Sequence, residues 1–536
     1  MQRLKKGNIY IRMIDELAIG SGRSPGAQRY FLDGHSEITR YLKTFFLLLS
    51  LLGICHGLRA ADPKRPNIIM ILADDLGQGD LSCNNPDSKI QTPHLDRLAS
   101  EGINFSDAHS PSGVCSPTRY ALLTGRYAWR SALKKGVLNG ASPPLIERGR
   151  LTLPGMLKSR GYSTAAIGKW HLGHEWPLID ASGKVTPGNI DWDKPAVYSA
   201  LNAGFTYHFG LAKPAWAFME NGHILAKPTE AFDLSHVPSE IIGGNNNKGF
   251  RQPGFQFEDM IPAWIEKANG FIERNSELDT PFFVYFAPIC PHRPINPNSE
   301  FHGKSECGVF GDFVVELDDA VGQLLATLEK TGQADYTLVI FSADNGAEIN
   351  TYGHIEKYDH WSSNGRRGAK RDLYEGGHRV PFIARWPEHI PAGSQSEEVI
   401  CLTDIFATVA TIIDFKVPEI AAEDSYSILP ALRGETLKRP IREATVHHSS
   451  RGNFAIRQGD WVYIDHSTGA ENKESDYALK TLGVLDDSEP AELYNLVDDP
   501  NQTTNVYGRH PEKALELKKR LDRYRSNSSS LPHSRP

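Results

Sequence analysis

Residues 65–77 read RPNIIMILADDLG, a short apolar run that ends in two adjacent carboxylates, Asp74 and Asp75. A run this short and this uniformly apolar is typical of a strand buried on both faces, as in a parallel sheet covered by helices. Three later segments repeat the arrangement of an apolar run followed by polar residues. They are 163–168 before Lys169 and His171, 281–287 before His292, and 336–342 before Asp344 and Asn345.

Helical patterns lie between these strands, and the clearest covers residues 313–328, where apolar residues recur at spacings of three and four. Alternating strands and helices predict an α/β fold with a parallel sheet. Ligands of such sheets bind beyond the carboxyl ends of the strands. The polar residues that follow the four strands therefore mark the expected functional site.

The composition is that of a globular protein. The chain has 536 residues, of which 40% are hydrophobic, and a net charge of −7 from 58 Lys plus Arg against 65 Asp plus Glu. This mild acidity, without long runs of like charge, argues against a nucleic-acid partner. Six cysteines are too few for a disulfide scaffold.

The N-terminal region has the pattern of an export signal. Residues 40–61 contain two basic residues, an apolar stretch at 45–55 and small residues near Ala60 and Ala61. The apolar stretch is shorter than the roughly 20 residues that span a bilayer, so we expect no stable membrane anchor. We interpret residues 1–39 as a doubtful extension that arises from a start assigned too far upstream. The expected location is the periplasm or the exterior of the cell.

The residues at two of the strand ends suit a metal ion. Asp74, Asp75, Asp344 and Asn345 offer hard oxygen ligands without sulfur or imidazole, a set that favours Ca²⁺ or Mg²⁺ over zinc. Either pair alone could be a turn former or a helix cap. A shared cation explains both pairs, because buried carboxylates without a counter-charge are costly.

Residues 112–126 read SGVCSPTRYALLTGR, and this segment resembles the signature of the formylglycine-dependent sulfatases of the alkaline phosphatase superfamily. Further segments resemble other motifs of that family, in the same order along the chain. They are LADD at 72–75, GKWHLG at 168–173, DNG at 344–346, KRDLYEGGHRVP at 370–381 and ELYNL at 492–496.

The resemblance implies that a maturation enzyme oxidises Cys115 to formylglycine, reading Pro117 and Arg119 beside it. The hydrated aldehyde would attack sulfur with one hydroxyl and form a sulfated enzyme intermediate, and its second hydroxyl would allow sulfate to leave. Arg119 matches the arginine that orients the formylglycine. Without Pro117 and Arg119, Cys115 would be interpreted as an ordinary buried thiol.

The resemblance also assigns roles to the other polar residues at the strand ends. Lys169 and Lys370 match lysines that hold the sulfate oxygens. His171 matches the histidine that takes a proton from the second hydroxyl. His292 matches the histidine that hydrogen-bonds the ester oxygen, and His292 and Lys370 together are the candidates for protonating the leaving group. The residues that match the calcium ligands are Asp74, Asp75, Asp344 and Asn345, together with the modified Cys115.

The expected fold is a large mixed, mostly parallel sheet between helices, with a smaller C-terminal antiparallel sheet and one helix. We predict a catalytic unit at 62–438, a β-rich unit at 439–525 and a disordered tail at 526–536. The small sheet is predicted from stretches rich in β-branched and aromatic residues at 443–449, 453–457 and 461–465, and the helix from an apolar face within 511–524.

The expected activity is hydrolysis of an O-sulfate ester in a sulfated polysaccharide or oligosaccharide. The form of the 370–381 segment resembles bacterial polysaccharide sulfatases and points to 6-O-sulfated galactose or N-acetylgalactosamine. Two alternatives remain open at this stage. One is a phosphoester or phosphonate monoester hydrolase of the same superfamily, and the other is a catalytically dead carbohydrate-binding homologue.

Overall fold

The four apolar segments form neighbouring strands at the centre of the main sheet. The structure, a computed structural model, describes residues 65–244, 247–485 and 488–531. The predicted extension at 1–39 and the predicted signal peptide at 40–61 lie outside the described residues. The segment at 163–168 has the predicted bounds, and the strand of the first segment covers 67–73. The strand predicted at 281–287 begins one residue later, and the one predicted at 336–342 is shifted by one residue at both ends.

The strands are β1 Asn67–Ala73, β2 Ile103–Phe105, β3 Ala108–His109, β4 Ser163–Gly168, β5 Tyr207–Leu211, β6 Phe218–Glu220, β7 His223–Ile224, β8 Glu230–Asp233, β9 Lys248–Arg251, β10 Phe282–Ala287, β11 Thr337–Ala343, β12 Phe382–Arg385, β13 Ser394–Ser396, β14 Ile400–Cys401, β15 Thr445–His448, β16 Phe454–Gln458, β17 Trp461–Ile464 and β18 Glu492–Asn495. The α-helices are α1 Pro93–Ser100, α2 Cys115–Thr124, α3 Leu153–Ser159, α4 Ser239–Ile242, α5 Met260–Glu277, α6 Gly308–Lys330, α7 Thr351–Tyr358, α8 Glu375–His378, α9 Ile405–Ile412, α10 Leu429–Leu432, α11 Asp476–Leu482 and α12 Pro511–Ser526.

Among the described residues, the main sheet has ten strands in the order β13-β2-β12-β11-β1-β10-β4-β5-β6-β7. Its centre, from β11 to β5, is parallel, and antiparallel strands follow on both sides. The predicted mixed, mostly parallel sheet is confirmed. Parallel central strands bring their carboxyl ends to one edge, where the polar residues follow them.

The two faces of β1 explain why its sequence is apolar throughout. Ile69 and Ile71 pack into a core that also contains residues of α5 and α6, such as Trp264 and Leu317. The alternate residues Ile68, Met70 and Leu72 belong to a second core on the opposite face, which includes residues of α2, α3 and α9. A strand alternates its side chains between faces, so helices on both sides require an uninterrupted apolar run.

The predicted helix at 313–328 is the central part of α6, which extends to Gly308 and Lys330. Its apolar face packs in the same core as β1. The spacing of the apolar residues located this helix, and Phe310 in its first turn also belongs to the core.

The smaller C-terminal sheet has four antiparallel strands in the order β15-β16-β17-β18. Leu517, Leu521 and Tyr524 of α12 pack against residues of these strands, including Val446 and Ile456. The predicted small sheet with one covering helix is therefore confirmed. The fourth strand, β18, coincides with the ELYNL motif, which was recognised as a motif but not predicted as a strand.

Buried polar contacts connect this small sheet to the catalytic unit. Arg457 of β16 donates two hydrogen bonds to Asp107, at 2.6 and 2.7 Å. His448 of β15 accepts from Ser112 Oγ at 2.6 Å through its carbonyl oxygen, and from the backbone of Gly113 at 3.2 Å. The two bonds to His448 hold Ser112 and Gly113, which lie just before Cys115, so the small sheet supports the expected site.

The described part of the predicted tail lies against the body of the protein. Ser529 Oγ donates to the Glu423 carbonyl at 2.5 Å and the Ser530 backbone donates to Asp424 at 3.1 Å. Residues 532–536 lie outside the described residues. No helix within the described ranges is both long and apolar enough to cross a membrane.

The packing of α12 predicts a stability difference between two leucines of that helix. Leu521 is fully buried and Leu515 is 52% exposed. We expect Leu521→Ala to lower the free energy of unfolding by about 2–5 kcal/mol, since it leaves a cavity. Leu515→Ala, the matched control, should change it by less than about 0.5 kcal/mol. Urea unfolding followed by tryptophan fluorescence measures both, and equal effects would contradict the assigned packing.

Candidate active site

The register of the main sheet places the acidic residues side by side. Ala73 at the end of β1 is paired with Ala343 at the end of the parallel neighbour β11. The next residues, Asp74 and Asp344, therefore leave the sheet at the same level, and both are fully buried. The backbone of Asp75 donates to Asp344 Oδ1 at 3.3 Å, which connects the two strand ends directly.

Cys115 reaches this carboxylate cluster from the first turn of α2. Its Sγ lies 3.5 Å from Asp74 Oδ1 and 4.0 Å from Asp75 Oδ1. One ligand atom from each of Asp74, Asp75, Cys115 and Asp344 lies within 4.8 Å of all the others. Burial, and then the Asp344 carboxylate, raises the pKa of the Cys115 thiol, which keeps the unmodified side chain protonated.

The donor set fits a hard divalent cation. Asn345 Nδ2 donates to Asp75 Oδ1 at 2.7 Å and to the Gly346 carbonyl at 2.9 Å, while its Oδ1 is buried with no hydrogen-bond partner. Burial, and then the negative charge of Asp74, raises the pKa of Asp344 to about 7. An orphaned amide oxygen beside three crowded carboxylates is the environment that Ca²⁺ or Mg²⁺ would complete.

Three cationic side chains already contact these carboxylates. Arg119 Nε donates to Asp344 Oδ2 at 2.9 Å, and Arg119 Nη2 forms an ion pair with the same oxygen at 2.7 Å. Lys370 Nζ lies 2.7 Å from Asp75 Oδ2, and Lys169 Nζ forms an ion pair with Asp74. Lys169 Nζ is also 3.7 Å from Cys115 Sγ. Arg119, Lys169 and Lys370 therefore surround residue 115 with positive charge.

His171 is held as a neutral imidazole with a defined tautomer. Its Nε2 lies 2.7 Å from the Leu138 carbonyl oxygen, and because a carbonyl only accepts, Nε2 carries the proton. Its Nδ1 is buried with no hydrogen-bond partner and holds a lone pair. Burial, and then the positive charge of Lys169, lowers the pKa of His171 well below its usual value. The geometry suits a proton acceptor.

His292 is oriented in a similar way at the end of the segment after β10. Its Nδ1 donates to the Arg293 carbonyl at 2.5 Å, which leaves Nε2 as the free nitrogen, 3.9 Å from Asp75 Oδ2. Burial, and then Lys169, lowers the pKa of His292 to about 4. In the absence of substrate, His292 is therefore a neutral hydrogen-bond acceptor.

Two of these residues have an unusual backbone. Asp75 and His171 have φ angles of +66° and +52°, in the left-handed region that non-glycine residues rarely adopt. Such a conformation costs on the order of 1–3 kcal/mol and persists where the surroundings impose it. Both residues with this left-handed backbone belong to the candidate site.

The structure thus brings together all ten residues singled out from the sequence. Five of them line one cavity of about 760 Å³. The lining residues are Cys115, Lys169, His171, His292 and Lys370, while the buried floor contains Asp74, Asp75, Arg119, Asp344 and Asn345.

The sequence reasoning missed two residues that hold this site. Tyr285 accepts a hydrogen bond from Arg119 Nη1 at 3.3 Å and is the polar residue of the otherwise apolar strand β10. Glu348 accepts from Arg293 and Arg371, each at 2.9 Å, and lies 3.7 Å from Lys370 Nζ. The position of Glu348, just after the DNG motif, was an available signal.

The site has the form of a metal-dependent α/β hydrolase that acts on an anionic ester. Comparison with known proteins agrees. The family model described as Sulfatase matches residues 66–415, and the model described as N-sulphoglucosamine sulphohydrolase, C-terminal, matches residues 367–527.

Individual relatives are similar over most of their length. An N-acetylgalactosamine-6-O-sulfatase of Bacteroides thetaiotaomicron is 33% identical over 497 residues, covering 86% of this chain and 93% of that protein. Arylsulfatase A of Homo sapiens is 32% identical over 465 residues, covering 85% of this chain and 86% of that protein.

A solved structure described in connection with glycosaminoglycan metabolism by Bacteroides thetaiotaomicron superposes with a TM-score of 0.74 at 32% identity. It covers 87% of this chain and 100% of its own. The chain belongs to the sulfatase family and is a sulfuric ester hydrolase. The family uses a formylglycine and a divalent metal.

The carboxylate cluster predicts cation binding that strengthens as the pH rises. Below its pKa of about 7, the Asp344 carboxyl must lose a proton before it can bind a cation. We expect the affinity for Ca²⁺ or Mg²⁺ to be about tenfold higher at pH 8 than at pH 6, as one coupled proton requires. Calorimetric titration after chelation measures this difference.

Two variants control that measurement. Asp344→Asn should weaken binding and remove most of the pH dependence. Asp80→Asn alters a buried carboxylate that lies 2.8 Å from His360, outside the cluster. This variant should retain both the cation affinity and its pH dependence. Binding that is independent of pH, or unchanged in Asp344→Asn, would contradict this assignment.

Proposed function

We propose that this sulfatase hydrolyses the 6-O-sulfate ester of galactose or N-acetylgalactosamine in a sulfated polysaccharide or oligosaccharide. The observation that carries the reaction is the position of Lys169 and Lys370, which contact the carboxylates around residue 115 and line the same cavity. The sugar and the position of the sulfate are supported by the named activity of the Bacteroides relative.

The metal site of this proposal consists of Asp74, Asp75, Asp344, Asn345 and residue 115. We propose Ca²⁺ as the ion, with Mg²⁺ as the alternative, because the protein ligands are carboxylate and amide oxygens. When bound, the cation supplies Lewis-acid polarisation of a hydroxyl and of the sulfate oxygens.

Residue 115 is proposed to act as formylglycine, produced from Cys115 by a formylglycine-generating enzyme that recognises Pro117 and Arg119. The hydrated aldehyde supplies one hydroxyl for attack and a second through which sulfate can be expelled. Arg119 fixes this side of the site, because it is fully buried and donates to both Asp344 and the Lys169 carbonyl.

Lys169 and Lys370 are proposed to bind the sulfate oxygens, where negative charge gathers as the S–O bond breaks. Two ammonium groups suit a tetrahedral anion, since each acts as a point charge without a fixed planar geometry. Burial opposes the charged form of Lys370, but Asp75 and the other nearby negative groups raise its pKa above the usual value, so the ammonium stays protonated at neutral pH.

The histidines are proposed to move protons on the two sides of the reaction. His171 Nδ1, which holds a lone pair, takes a proton from a hydroxyl of residue 115. His292 Nε2 hydrogen-bonds the ester oxygen, and with Lys370 it delivers a proton to the leaving alcohol. Because His292 has a pKa of about 4, lowered first by burial, it must gain its proton as the anionic substrate enters.

Export and domain organisation complete the proposal. Residues 40–61 would direct the chain to the periplasm or the exterior, where a polymeric glycan is accessible. The catalytic unit would occupy 62–438 and the β-rich unit 439–525. The contacts of His448 with Ser112 and Gly113 support a role of the second unit in holding the nucleophile segment.

The proposed nucleophile predicts a chemical signature at residue 115. Protein produced together with a formylglycine-generating enzyme should carry an aldehyde on the peptide that contains residue 115, detected by mass spectrometry and hydrazide labelling. Cys115→Ala should lose labelling and about 10⁶-fold in kcat, as when other covalent nucleophiles are removed. Cys401→Ala, which alters a buried thiol outside the site, should retain labelling. Unmodified Cys115 in fully active enzyme would refute the mechanism.

The proposed reaction predicts an order of preference among substrates. We expect a higher kcat/KM for 4-nitrophenyl sulfate than for 4-nitrophenyl phosphate, and faster sulfate release from N-acetylgalactosamine 6-sulfate than from the 4-sulfate. Assays of released 4-nitrophenol and sulfate with the matured enzyme measure both ratios. A preference for the phosphate ester would favour the alternative phosphoester hydrolase, and a preference for the 4-sulfate would refute the assigned position.

A further inference from the structure

One wall of the active-site cavity contains a lysine that the proposed mechanism does not use. Lys213 follows β5 and lines the cavity together with His174, Pro214 and Trp216. The Lys213 ammonium lies over the indole ring of Trp216. The carbonyl of Lys213 accepts a hydrogen bond from Trp176 Nε1 at 2.9 Å, so both the backbone and the head of this residue are held in place.

Lys213 differs from the other cations of the cavity in its charge balance. Within the described ranges, each of the others lies within 4.0 Å of a carboxylate, and Lys213 Nζ has none at that distance. The paired cations are Lys169 with Asp74, Lys370 with Asp75, Arg293 and Arg371 with Glu348, and Lys248 with Asp233. A positive charge on Lys213 therefore has no carboxylate counter-charge within the described ranges.

The surroundings of Lys213 make this charge unfavourable until a counter-ion arrives. Burial, and then repulsion from Lys169, lowers the pKa of the Lys213 ammonium well below its usual value. An anion bound beside Lys213 would favour the ammonium form, because it supplies the missing counter-charge. The cation–π contact with Trp216 offsets only part of the cost.

His174, on the same wall of the cavity, has a ring nitrogen without a hydrogen-bond partner. His174 is 92% buried, and its Nε2 has no hydrogen-bond partner. Burial lowers the pKa of His174 to about 4, so at neutral pH it is an uncharged imidazole that can hydrogen-bond a sugar hydroxyl or an anionic oxygen. Buried polar atoms are seldom left unpaired in proteins, and this one belongs to a residue of the cavity lining.

We propose that Lys213 and His174, supported by Trp216, form a subsite for a second anionic group of the substrate, distinct from the sulfate that is cleaved. The ligand class is a carboxylate or a further sulfate on the same sugar or on the adjoining one. This inference rests on the proposed glycan sulfatase activity and adds to it a preference for substrates that carry at least two negative charges.

The subsite is separate from the position of the cleaved sulfate. Lys169 and Lys370 contact the carboxylates around residue 115, whereas Lys213 contacts none of them within 4.0 Å. Lys213 is therefore available to an anionic group other than the sulfate that Lys169 and Lys370 are proposed to bind. A remote contact of equal strength in the ground state and the transition state changes KM and leaves kcat unaffected.

The test compares substrates that share the cleaved sulfate and differ in a second anion. The substrates are N-acetylgalactosamine 6-sulfate, N-acetylgalactosamine 4,6-disulfate and a disaccharide of glucuronate with N-acetylgalactosamine 6-sulfate. For Lys213→Met we expect KM to rise about 10- to 100-fold for a substrate with the second anion, as for a lost hydrogen bond to a charged group. The kcat, and both constants for the singly charged sugar, should change less than about threefold.

Two further variants provide controls. Lys213→Arg keeps the charge and should restore most of the affinity. Lys267→Met removes a lysine that also lies near an aromatic ring, at 5.0 Å from the centroid of Phe209, but that is paired with Glu220 and lies outside the cavity lining. It should leave all constants unchanged. Whichever doubly charged substrate responds to Lys213→Met identifies the second group as sulfate or carboxylate.

The outcomes separate this inference from the proposed function. An equal loss with all three substrates would overturn the subsite, since Lys213 would then act on the cleaved sulfate or on the fold. No loss with any of them would overturn it as well. If the wild-type enzyme cleaves none of these sugars, the proposed function fails. Calorimetric binding then tests the subsite with two probes, the glucuronate disaccharide without its sulfate and N-acetylgalactosamine 4-sulfate. Binding of either probe that Lys213→Met weakens supports it, and binding of neither refutes it.

Discussion

The burial of three carboxylates at the carboxyl ends of two neighbouring strands is the constraint on which this structure depends. Asp74, Asp75 and Asp344 cannot remain ionised together in the interior without positive charge beside them. Arg119, Lys169 and Lys370 supply three positive charges against these three carboxylates, and a bound divalent cation would make the site net positive. The same positive groups that stabilise the buried carboxylates also attract an anionic ester to the site.

The C-terminal sheet belongs to this arrangement although it contributes none of the ten candidate residues. It holds the chain before Cys115 through His448. The segment around Lys370 is held in a similar way, since Asp372 accepts from the backbone of Glu471 at 2.7 Å and Asn472 donates to the Lys370 carbonyl at 2.6 Å. Both sides of the cavity are thus fixed by residues that follow the main sheet in sequence.

The central strands and the longest helices could be predicted because each carries a repeating apolar pattern. β1 is buried on both faces, and α6 presents apolar residues at helical spacing to one core. β2 and β13 have three residues each, too few to establish a period, and they pair only with segments far away in the chain, β13 with β2 and β2 also with β12. Their existence followed from tertiary contacts and not from local sequence.

The sequence alone determined the class of fold, the family and the candidate residues of the site, because these follow from apolar periodicity and from short motifs of defined chemistry. Only the tertiary structure decided how these residues act on each other. The tautomer of His171 depends on the Leu138 carbonyl, and the lowered pKa of Lys213 depends on its burial and on the nearby Lys169. Such properties depend on distances between residues far apart in the chain, which no local pattern encodes.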